Sequence, residues 1–354
     1  MPPARNSIDN RTRLEILRLV AEVAQQEDPV GAETLVAGLA DRGILITVDG
    51  VRWHLRALDK QGFTMRVGNR GRIPTEGGWR ELRRSLVDAR MMYALAKTET
   101  LAHQVTFDTK RDSGDVVGAL TTFPEDALAT VLSQAARACQ VGVCISDRVA
   151  LLHGGEKFGV SPIPQGKMGL VTVSTATIDG LLLLKAISSR PTFGGIVEVS
   201  SWRPHRFVDV LEYGRGSRDP VEVLIREGST RLHRVLDRGH GLIMADVREL
   251  VGVARERARA LLEEMSGCGL GGVLMLGQVG QPVLGVPVQQ HTFGLALAAG
   301  VNPTVAAYEA GVRAEFRCSE AMVDFSSLLP IEDLLREAGL PSALAGGSLA
   351  PFAE

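Results

Sequence analysis

Residues 29–82 read PVGAETLVAGLADRGILITVDGVRWHLRALDKQGFTMRVGNRGRIPTEGGWREL, and this stretch decides the fold of the N-terminal part of the chain. It predicts one helix over 32–42, ending at Gly43, and a second that begins after a Thr47 or Asp49 cap. The inward face of the latter helix carries apolar residues three, four and three apart: Val48, Val51, Leu55 and Leu58. Together with a preceding helix over 10–25 and a following β-ribbon, these elements predict a winged helix-turn-helix.

The opposite face of the last helix and the tip of the ribbon are basic. Phe63, Met65 and Val67 alternate before a Gly68–Asn69 turn, the pattern of a β-hairpin. An α-helix fits the major groove of DNA, and basic residues at a ribbon tip suit phosphate or minor-groove contacts. The candidate DNA-binding residues are Thr47, Arg52, Trp53, Arg56, Lys60, Arg70 and Arg72.

Two aromatic side chains of this helix are expected to play lesser parts in DNA binding. Trp53 is expected to pack between the helix and the wing, and His54 to be a partly exposed helix residue. The alternative interpretation of the whole unit is a winged helix that contacts only protein, with its arginines forming an ordinary solvated face.

The distribution of charge favours nucleic acid as the partner of this unit. The whole chain has a formal net charge of −2. Residues 1–84 contain fourteen Arg and Lys against eleven Asp and Glu, a net of +3, which leaves −5 for the remainder. A basic module on an acidic body is the charge pattern expected of a DNA-binding protein.

Length and composition indicate a multidomain protein with a large core. The chain has 354 residues, of which 45% are hydrophobic and 23% charged, enough for two or three domains. No apolar run is long enough to span a bilayer, and the N-terminus lacks the apolar stretch of a signal peptide. Four scattered cysteines suit a reducing compartment. These features lead us to expect a cytoplasmic protein without membrane contact.

Beyond a predicted helix over 76–104, the pattern becomes α/β and contains an internal repeat. GVSPIPQGKMGLVTVSTATIDGLLLLKA (159–186) resembles LGVPVQQHTFGLALAAGVNPTVAAYEAG (284–311), about 125 residues later. Each copy predicts a strand (168–173 and 293–298), a loop of small residues and a helix. We therefore expect an α/β domain made of two related halves around a pseudo-twofold axis. A further helix is expected over 246–265 between the two copies.

The loops that end the two repeated strands are candidate anion sites. Asn302 can cap a helix whose first residue is Pro303, and free N–H groups at a helix N-terminus attract anions. Simple capping within a core is the competing interpretation for each loop. The candidate effector-binding residues are Ser174, Thr175, Thr177, Asp179, Gly180, Arg206, Arg215, Ser217, Asn302 and Pro303.

No motif in the sequence predicts catalysis or a cofactor. The glycines over 267–272 match GxGxxG, but they follow a helix and precede the strand 273–276, the reverse of a dinucleotide fingerprint. The seven histidines are isolated, so no metal site is expected. A DNA-binding protein that also binds a small anion would be a regulator of transcription. The alternative is an enzyme that acts on a small organic acid and uses the winged helix for assembly.

The region after the winged helix resembles the effector domain of the NrpR family of nitrogen-regulatory repressors. The similarity lies in IPQGKMGLVTVSTATIDGLLLLKA, FGGIVEV (193–199), EYGRGSRDP (212–220), GQPVLGVPV and GVNPTVAAYEAG, in family order. VRWHLRALDKQGF and GRIPTEGGWREL extend the resemblance into the winged helix. The similarity covers about residues 10–330.

The resemblance implies a homodimeric repressor, without a cofactor, that binds an inverted-repeat DNA operator and releases it when 2-oxoglutarate accumulates. It implies a winged helix over 1–84, a connecting helix over 85–104, an effector and oligomerisation domain over 105–330, and a tail over 331–354. Two features depart from the family. Archaeal members often carry two copies of the effector domain, whereas this chain has one. A loop that reads Cys-Ser-Ile-Thr in the family reads Ser-Thr-Ala-Thr here, over residues 174–177.

Overall fold

The computed structural model describes residues 5–24, 29–40, 44–82, 93–215 and 218–349, and the chain divides into two compact units between Met91 and Met92. The first unit contains three helices and a two-stranded ribbon. Their bounds are α1 Arg5–Ala24, α2 Ala32–Ala40, α3 Val48–Lys60, β1 Thr64–Val67 and β2 Gly71–Pro74. Residues 76–82 are helical again (α4). The predicted winged helix-turn-helix is confirmed, whereas the predicted stop at Gly43 lies outside the described residues.

The apolar spacing of the sequence builds the core of this first unit. Val51, Leu55 and Leu58 of α3 are buried together with Leu17 and Leu35 of the other helices. At the start of α3, the Thr47 hydroxyl accepts a hydrogen bond from the amide of Gly50 at 3.2 Å, the interaction of a helix N-cap. Of the two candidates, Thr47 and Asp49, Thr47 is therefore the N-cap. Its hydroxyl oxygen is engaged in this capping hydrogen bond.

The second unit contains eight helices and twelve strands among its described residues. The helices are α5 Tyr93–Ala102, α6 Leu128–Val141, α7 Ala176–Leu184, α8 Pro220–Arg226, α9 Leu232–Arg238, α10 Arg255–Ser266, α11 Asn302–Glu309 and α12 Ile331–Glu337. The strands are β3 Asp115–Pro124, β4 Arg148–Leu152, β5 Lys157–Phe158, β6 Ser161–Pro162, β7 Lys167–Val173, β8 Ser189–Ser200, β9 Arg203–Glu212, β10 Gly241–Val251, β11 Val273–Leu276, β12 Thr292–Ala298, β13 Glu315–Asp324 and β14 Leu329–Pro330.

These strands form two five-stranded sheets and one small hairpin. The first sheet has the order β13-β3-β7-β4-β14 and the second has the order β11-β12-β10-β8-β9, with β5 and β6 paired separately. All neighbouring strands are antiparallel. None of the described helices has the length and apolar character needed to cross a bilayer.

The two related halves are visible in this topology. Strands β3, β4, β7 and β8 begin 125 or 126 residues before β10, β11, β12 and β13, respectively. Each half follows its third strand with a helix, α7 or α11, and then sends its fourth strand into the sheet of the other half. The strand β8 pairs with β10, and β13 pairs with β3. The halves are therefore joined by strand exchange and cannot separate without breaking both sheets.

The helix expected over 246–265 was wrong in its first part. Residues up to Val251 form β10, which pairs with β8 on one side and β12 on the other, and the helix begins only at Arg255. Pairing along both edges of a central strand outweighs local helix propensity. The error matters because it concealed two charged residues, Asp246 and Arg248, inside a sheet.

The C-terminal tail packs on the second unit as far as Leu349. Ile331, Leu334 and Leu335 of α12 are buried, as their amphipathic spacing predicts. Beyond the helix, the Gly346 amide bonds to the Leu236 carbonyl at 3.0 Å, and the Leu349 amide bonds to the Val141 carbonyl at 2.7 Å. These backbone bonds hold the tail against the rest of the second unit.

The two halves also approach each other closely at the ends of β7 and β12. Thr172 donates a hydrogen bond to the Gly300 carbonyl at 2.8 Å. A Cβ atom at Gly300 would lie 2.3 Å from the Val173 carbonyl oxygen and 2.9 Å from the Ser174 Cα. Only glycine fits here, because such contacts require the backbone to move.

Replacing Gly300 with alanine should therefore destabilise the second unit by about 1–3 kcal/mol, the usual cost of overpacking. The measurement is the denaturant midpoint of the full chain. Gly271→Ala is the matched control, since no atom lies within 4 Å of a Cβ at that position. Equal midpoints for the two variants would contradict the contact.

Candidate DNA-binding surface and ligand pocket

The third helix of the first unit presents a basic exposed face. Arg56 and Lys60 are exposed, and among the described residues neither side chain has a hydrogen-bond or ion-pair partner. Arg52 lies on the same helix but is held 3.2 Å from the carboxylates of both Glu33 and Asp49. On this helix, Arg56 and Lys60 are therefore the cations most available to contact a phosphate group.

The sequence led us to expect that Trp53 packs between the helix and the wing, and this expectation was wrong. Its side chain is 51% exposed, and the Arg13 guanidinium lies 5.3 Å from its ring centroid. His54, expected to be partly exposed, is instead buried and meets the Trp53 ring edge-on with centroids 4.8 Å apart. The reason is helical geometry, since position 54 points toward the core beside Leu55, whereas position 53 points toward α1. Trp53 is therefore half exposed to solvent, on the same helix as the exposed basic residues.

The two wing arginines predicted to bind DNA, Arg70 and Arg72, differ in their surroundings. Arg70 is exposed in the turn between β1 and β2. Arg72 instead places its Nε 2.8 Å from a carboxylate oxygen of Asp59, and only 17% of its side chain is exposed. Asp59 also accepts a hydrogen bond from Thr64 at 2.6 Å. The Asp59 carboxylate thus ties α3 to both strands of the wing, and Arg72 sets the wing's position.

In the second unit, Thr175 and Asp179 come together around one buried arginine, Arg248. The Arg248 side chain is fully buried, and its Nε and Nη2 lie 3.1–3.3 Å from the Asp179 carboxylate oxygens. Its Nη2 also donates to Thr175 Oγ1 at 2.9 Å, and its Nη1 lies 3.3 Å from Asp246 without hydrogen-bond geometry. Burial by itself lowers the pKa of Arg248, but the Asp179 and Asp246 carboxylates outweigh it and raise this pKa. Arg248 therefore remains a cation.

The buried network continues through Asp246. This carboxylate accepts hydrogen bonds from Thr175 Oγ1 and from the Tyr213 hydroxyl, each at 2.8 Å. Tyr213 is buried, and burial followed by the charge of nearby Asp219 raises its pKa well above the ordinary value. Tyr213 is thus a donor that stays protonated at neutral pH. It connects the end of β9 to the centre of the domain.

The two halves meet at two equivalent contacts, β10 with α7 and β3 with α11, and the charged network forms at the first of them. The register of β3 with β7 and of β10 with β12 places Gly118 opposite Val173 and Ala245 opposite Ala298. Because Val173 and Ala298 end the two repeated strands, their partners Gly118 and Ala245 are equivalent. Thr121 and Arg248, three residues farther along β3 and β10, are therefore equivalent as well. Where Arg248 meets Asp179 of α7, Thr121 meets only Thr304 of α11, at 2.8 Å. The fold does not require an ion pair at this position, so the charged version indicates a specific role.

A cavity of about 470 Å³ lies next to this network. Ser319 lines it and shares a hydrogen bond of 2.9 Å with Ser174. Its charged lining residues are Lys97, Arg218, Asp219, Glu222, Arg226, Arg317 and Glu320. The set holds four cations against three carboxylates, and burial raises the pKa of two of those carboxylates, Asp219 and Glu222.

Burial determines the charge of the carboxylates in this pocket. It raises the pKa of Asp219 to about 7, with further contributions from the charges of Asp246 and Glu222. Burial also raises the pKa of Glu222. The third carboxylate, Glu320, accepts hydrogen bonds from Lys97 and from Ser161, the latter at 2.7 Å. With Glu320 paired and Asp219 partly protonated, the pocket is positively charged and suits a small anion.

The helix α5 connects this pocket to the start of the second unit. Lys97 and Thr98 of α5 line the pocket. The end of α5 packs against α7, where a Cβ at Gly180 would lie 2.6 Å from the Ala102 carbonyl and 2.4 Å from Val105. Gly180 is needed here because a side chain would prevent this close approach. A shift of α5 would therefore move residues that line the pocket and would also change the contact with α7, the helix that carries Asp179.

Several predicted effector-binding residues lie away from the pocket. Thr177 bonds to the backbone of Val117, at 3.0 and 3.2 Å. Arg206 lies exposed on β9, 2.9 Å from Glu198, and seven residues before Tyr213, which is about 23 Å along a strand. The Arg215 side chain and the whole of Ser217 lie outside the described residues.

The expected capping by Asn302 was wrong. Asn302 is the first residue of α11, and its fully buried amide bonds to the backbone of Met244 and Val143, at 2.9–3.2 Å. Pro303 beside it is also buried. At the N-terminus of α7, the Ser174 hydroxyl accepts a hydrogen bond from the Ala176 amide, and the Ser174 carbonyl accepts one from the Thr177 amide. The arginines and the lysine that line the pocket were not among the residues predicted from the sequence.

Comparisons with known proteins agree with this architecture. The family described as NrpR regulatory domains NRD1 and 2 matches residues 91–329, and a ribonuclease R winged-helix domain family matches residues 14–82. A solved nitrogen repressor-like protein from Methanococcus jannaschii shares 25% identity and a TM-score of 0.57, covering 67% of this chain and 98% of its own.

Two curated relatives are nitrogen regulators of archaea. The Global nitrogen regulator NrpRI of Methanosarcina mazei is 33% identical over 91% of this chain and 98% of its own length. The Global nitrogen regulator NrpR of Methanococcus maripaludis is 26% identical over 91% of this chain, which spans only 55% of that protein. With its effector region and its winged helix both matched, the chain belongs to the NrpR family of nitrogen regulators.

Proposed function

We propose that this protein is a DNA-binding repressor of nitrogen-assimilation genes whose affinity for its operator is lowered by 2-oxoglutarate. The names of the curated relatives support nitrogen regulation, and the winged helix supports DNA as the partner. The observation that carries the effector part of the proposal is the cationic pocket next to the Arg248 network. A dicarboxylate of a few carbon atoms suits its size and charge.

In this proposal, the effector acts on α5, the first described helix after the winged-helix unit. One carboxylate of 2-oxoglutarate binds Arg317 and Arg218, and the other competes with Glu320 for Lys97. The lysine belongs to α5, so its change of partner displaces that helix relative to α7. A displaced α5 changes the spacing of the two winged helices in a homodimer, and two-fold operators require half-sites separated by whole helical turns.

The primary experiment measures fluorescence anisotropy of the full chain on DNA from upstream of its own gene and of nitrogen-assimilation genes. Site-preferring, salt-sensitive binding that millimolar 2-oxoglutarate weakens is the expected result. Binding that is specific but indifferent to 2-oxoglutarate would contradict the effector assignment. Consumption of 2-oxoglutarate in the same samples would favour the enzyme alternative.

The free arginines of the DNA surface should affect affinity and not stability. Arg56→Ala and Arg70→Ala should each weaken DNA binding and reduce the slope of log K against log salt by about 0.9, since each removes one phosphate contact. Arg80→Ala is the control, because Arg80 is also exposed but lies on α4. Slopes that match those of the Arg80 variant would exclude both residues from the interface.

Arg72→Ala should instead destabilise the winged helix. The substitution leaves Asp59 without its charged partner, and losing a hydrogen bond to a charged group costs about 1–3 kcal/mol. Thermal unfolding should show a lower midpoint for Arg72→Ala than for Arg70→Ala. The opposite order would mean that Arg72 does not position the wing.

Effector affinity should rise as the pH falls through about 7, the pKa of buried Asp219. Below this pH the carboxyl is uncharged and no longer repels a dianion, whereas above it the charge returns. The groups that face Asp219 are Asp246, Glu222, Tyr213 and Cys318. Calorimetric titration of 2-oxoglutarate should give a smaller pH slope for Asp219→Asn, and an unchanged slope would count against Asp219 as the titrating group.

A further inference from the structure

A second cavity, of about 850 Å³, lies on the side of the effector domain formed by β8, α9 and the start of β10. Its charged and titratable lining residues are Glu198, Arg231, His233, Arg234, Asp237, Arg238 and His240. None of these residues lines the proposed effector pocket. We call this cavity the α9 groove.

The two carboxylates of the α9 groove are already paired with arginines from outside it. Glu198 lies 2.9 Å from the Arg206 Nε, and Asp237 accepts a hydrogen bond from Arg137. Neither carboxylate therefore cancels an arginine of the groove. Three guanidinium groups, those of Arg231, Arg234 and Arg238, remain uncompensated by an acidic side chain among the described residues.

Of the two histidines of the groove, His240 adds a hydrogen-bond donor, whereas the Nδ1 proton of His233 is donated to a carboxylate. The Nδ1 atom of His233 lies 2.7 Å from the Glu309 carboxylate, which also accepts the amides of Leu232 and His233. His240 Nδ1 lies 3.4 Å from the Ser201 amide, which can only donate, so a neutral His240 carries its proton on Nε2. The groove thus offers donors with few competing acceptors.

The spacing of the arginines favours linked phosphates over a single carboxylate. Arg234 and Arg238 are four residues apart on α9, so they lie one helical turn apart on the same face. Among the described residues neither has an ion-pair or hydrogen-bond partner. Guanidinium groups bind phosphate oxygens in a bidentate manner, and a row of them fits successive phosphate groups.

We propose that the α9 groove binds linked phosphate groups, separately from the effector pocket and from the winged helix. The phosphates belong either to a free polyphosphate or nucleotide, or to the backbone of DNA held by the same protein. Both sources present the same chemistry to Arg234 and Arg238, and the two arms of the experiment below distinguish them. The groove is large enough for a ligand of nucleotide size.

The test compares two double variants of the full chain that lose equal charge. Arg234→Ala/Arg238→Ala empties the α9 groove of its free arginines, and Arg257→Ala/Arg313→Ala removes two exposed arginines elsewhere in the same unit. Arg234→Gln/Arg238→Gln provides a second version, and thermal midpoints report whether each variant folds. The probes are inorganic tripolyphosphate, by calorimetry, and a short mixed-sequence duplex without operator, by anisotropy across a salt series.

The proposal predicts a loss that is confined to the groove variants. Tripolyphosphate affinity should fall at least about tenfold, since each lost hydrogen bond to a charged group weakens binding by roughly this factor. If DNA is the source of phosphate, the salt slope for the duplex should also fall by about 1.8. A fall in tripolyphosphate affinity alone identifies a small polyphosphate as the ligand.

Two results would overturn the proposal. Equal binding of both probes by the groove variants and the control variant would mean that the groove holds no phosphate. Poly-glutamate that binds as well as tripolyphosphate, and is lost in the same variants, would assign the groove to acidic peptides. Neither result bears on 2-oxoglutarate, whose pocket shares no lining residue with the groove.

Discussion

The exchange of β8 and β13 between the two sheets holds the second unit together. Each half completes the sheet of the other, and the loops after β7 and β12 consequently meet at Gly300 and Val173. The same exchange brings β10 of the second half against α7 of the first. Arg248 and Asp179, 69 residues apart in sequence, meet only because of this arrangement.

The near-symmetry of the halves makes their differences informative. At equivalent positions the chain has Arg248 with Asp179 in one place and Thr121 with Thr304 in the other. A buried ion pair is often no more stabilising than an uncharged contact in the same place, so stability alone does not select the charged version. The charged version lies behind a cationic pocket whose wall includes α5. The proposed effector control would therefore act at one of the two equivalent contacts between the halves.

The sequence predicted the elements with strong local signals and missed those that depend on distant pairing. The winged helix, the repeat and strands β7, β11 and β12 followed from periodicity and turn residues. Arg72 could not be recognised as structural, because its Asp59 partner is thirteen residues away and on another element. Lys97, Arg218 and Arg317 come from three separate segments that only tertiary structure brings to one cavity. One usable signal was overlooked: Asp246 and Arg248 alternate within the apolar run GLIMADVRELV, which is the pattern of a strand with charges on one buried face.

If binding of a dicarboxylate in the pocket is coupled to binding of DNA by the winged helix, as we propose, the two affinities must depend on each other reciprocally. The measurement is the Kd of 2-oxoglutarate by calorimetry, with and without saturating operator DNA. If the effector weakens operator binding by a given factor, the operator must weaken effector binding by the same factor. The account predicts equal factors in the two directions. A Kd for 2-oxoglutarate that operator DNA leaves unchanged would contradict it.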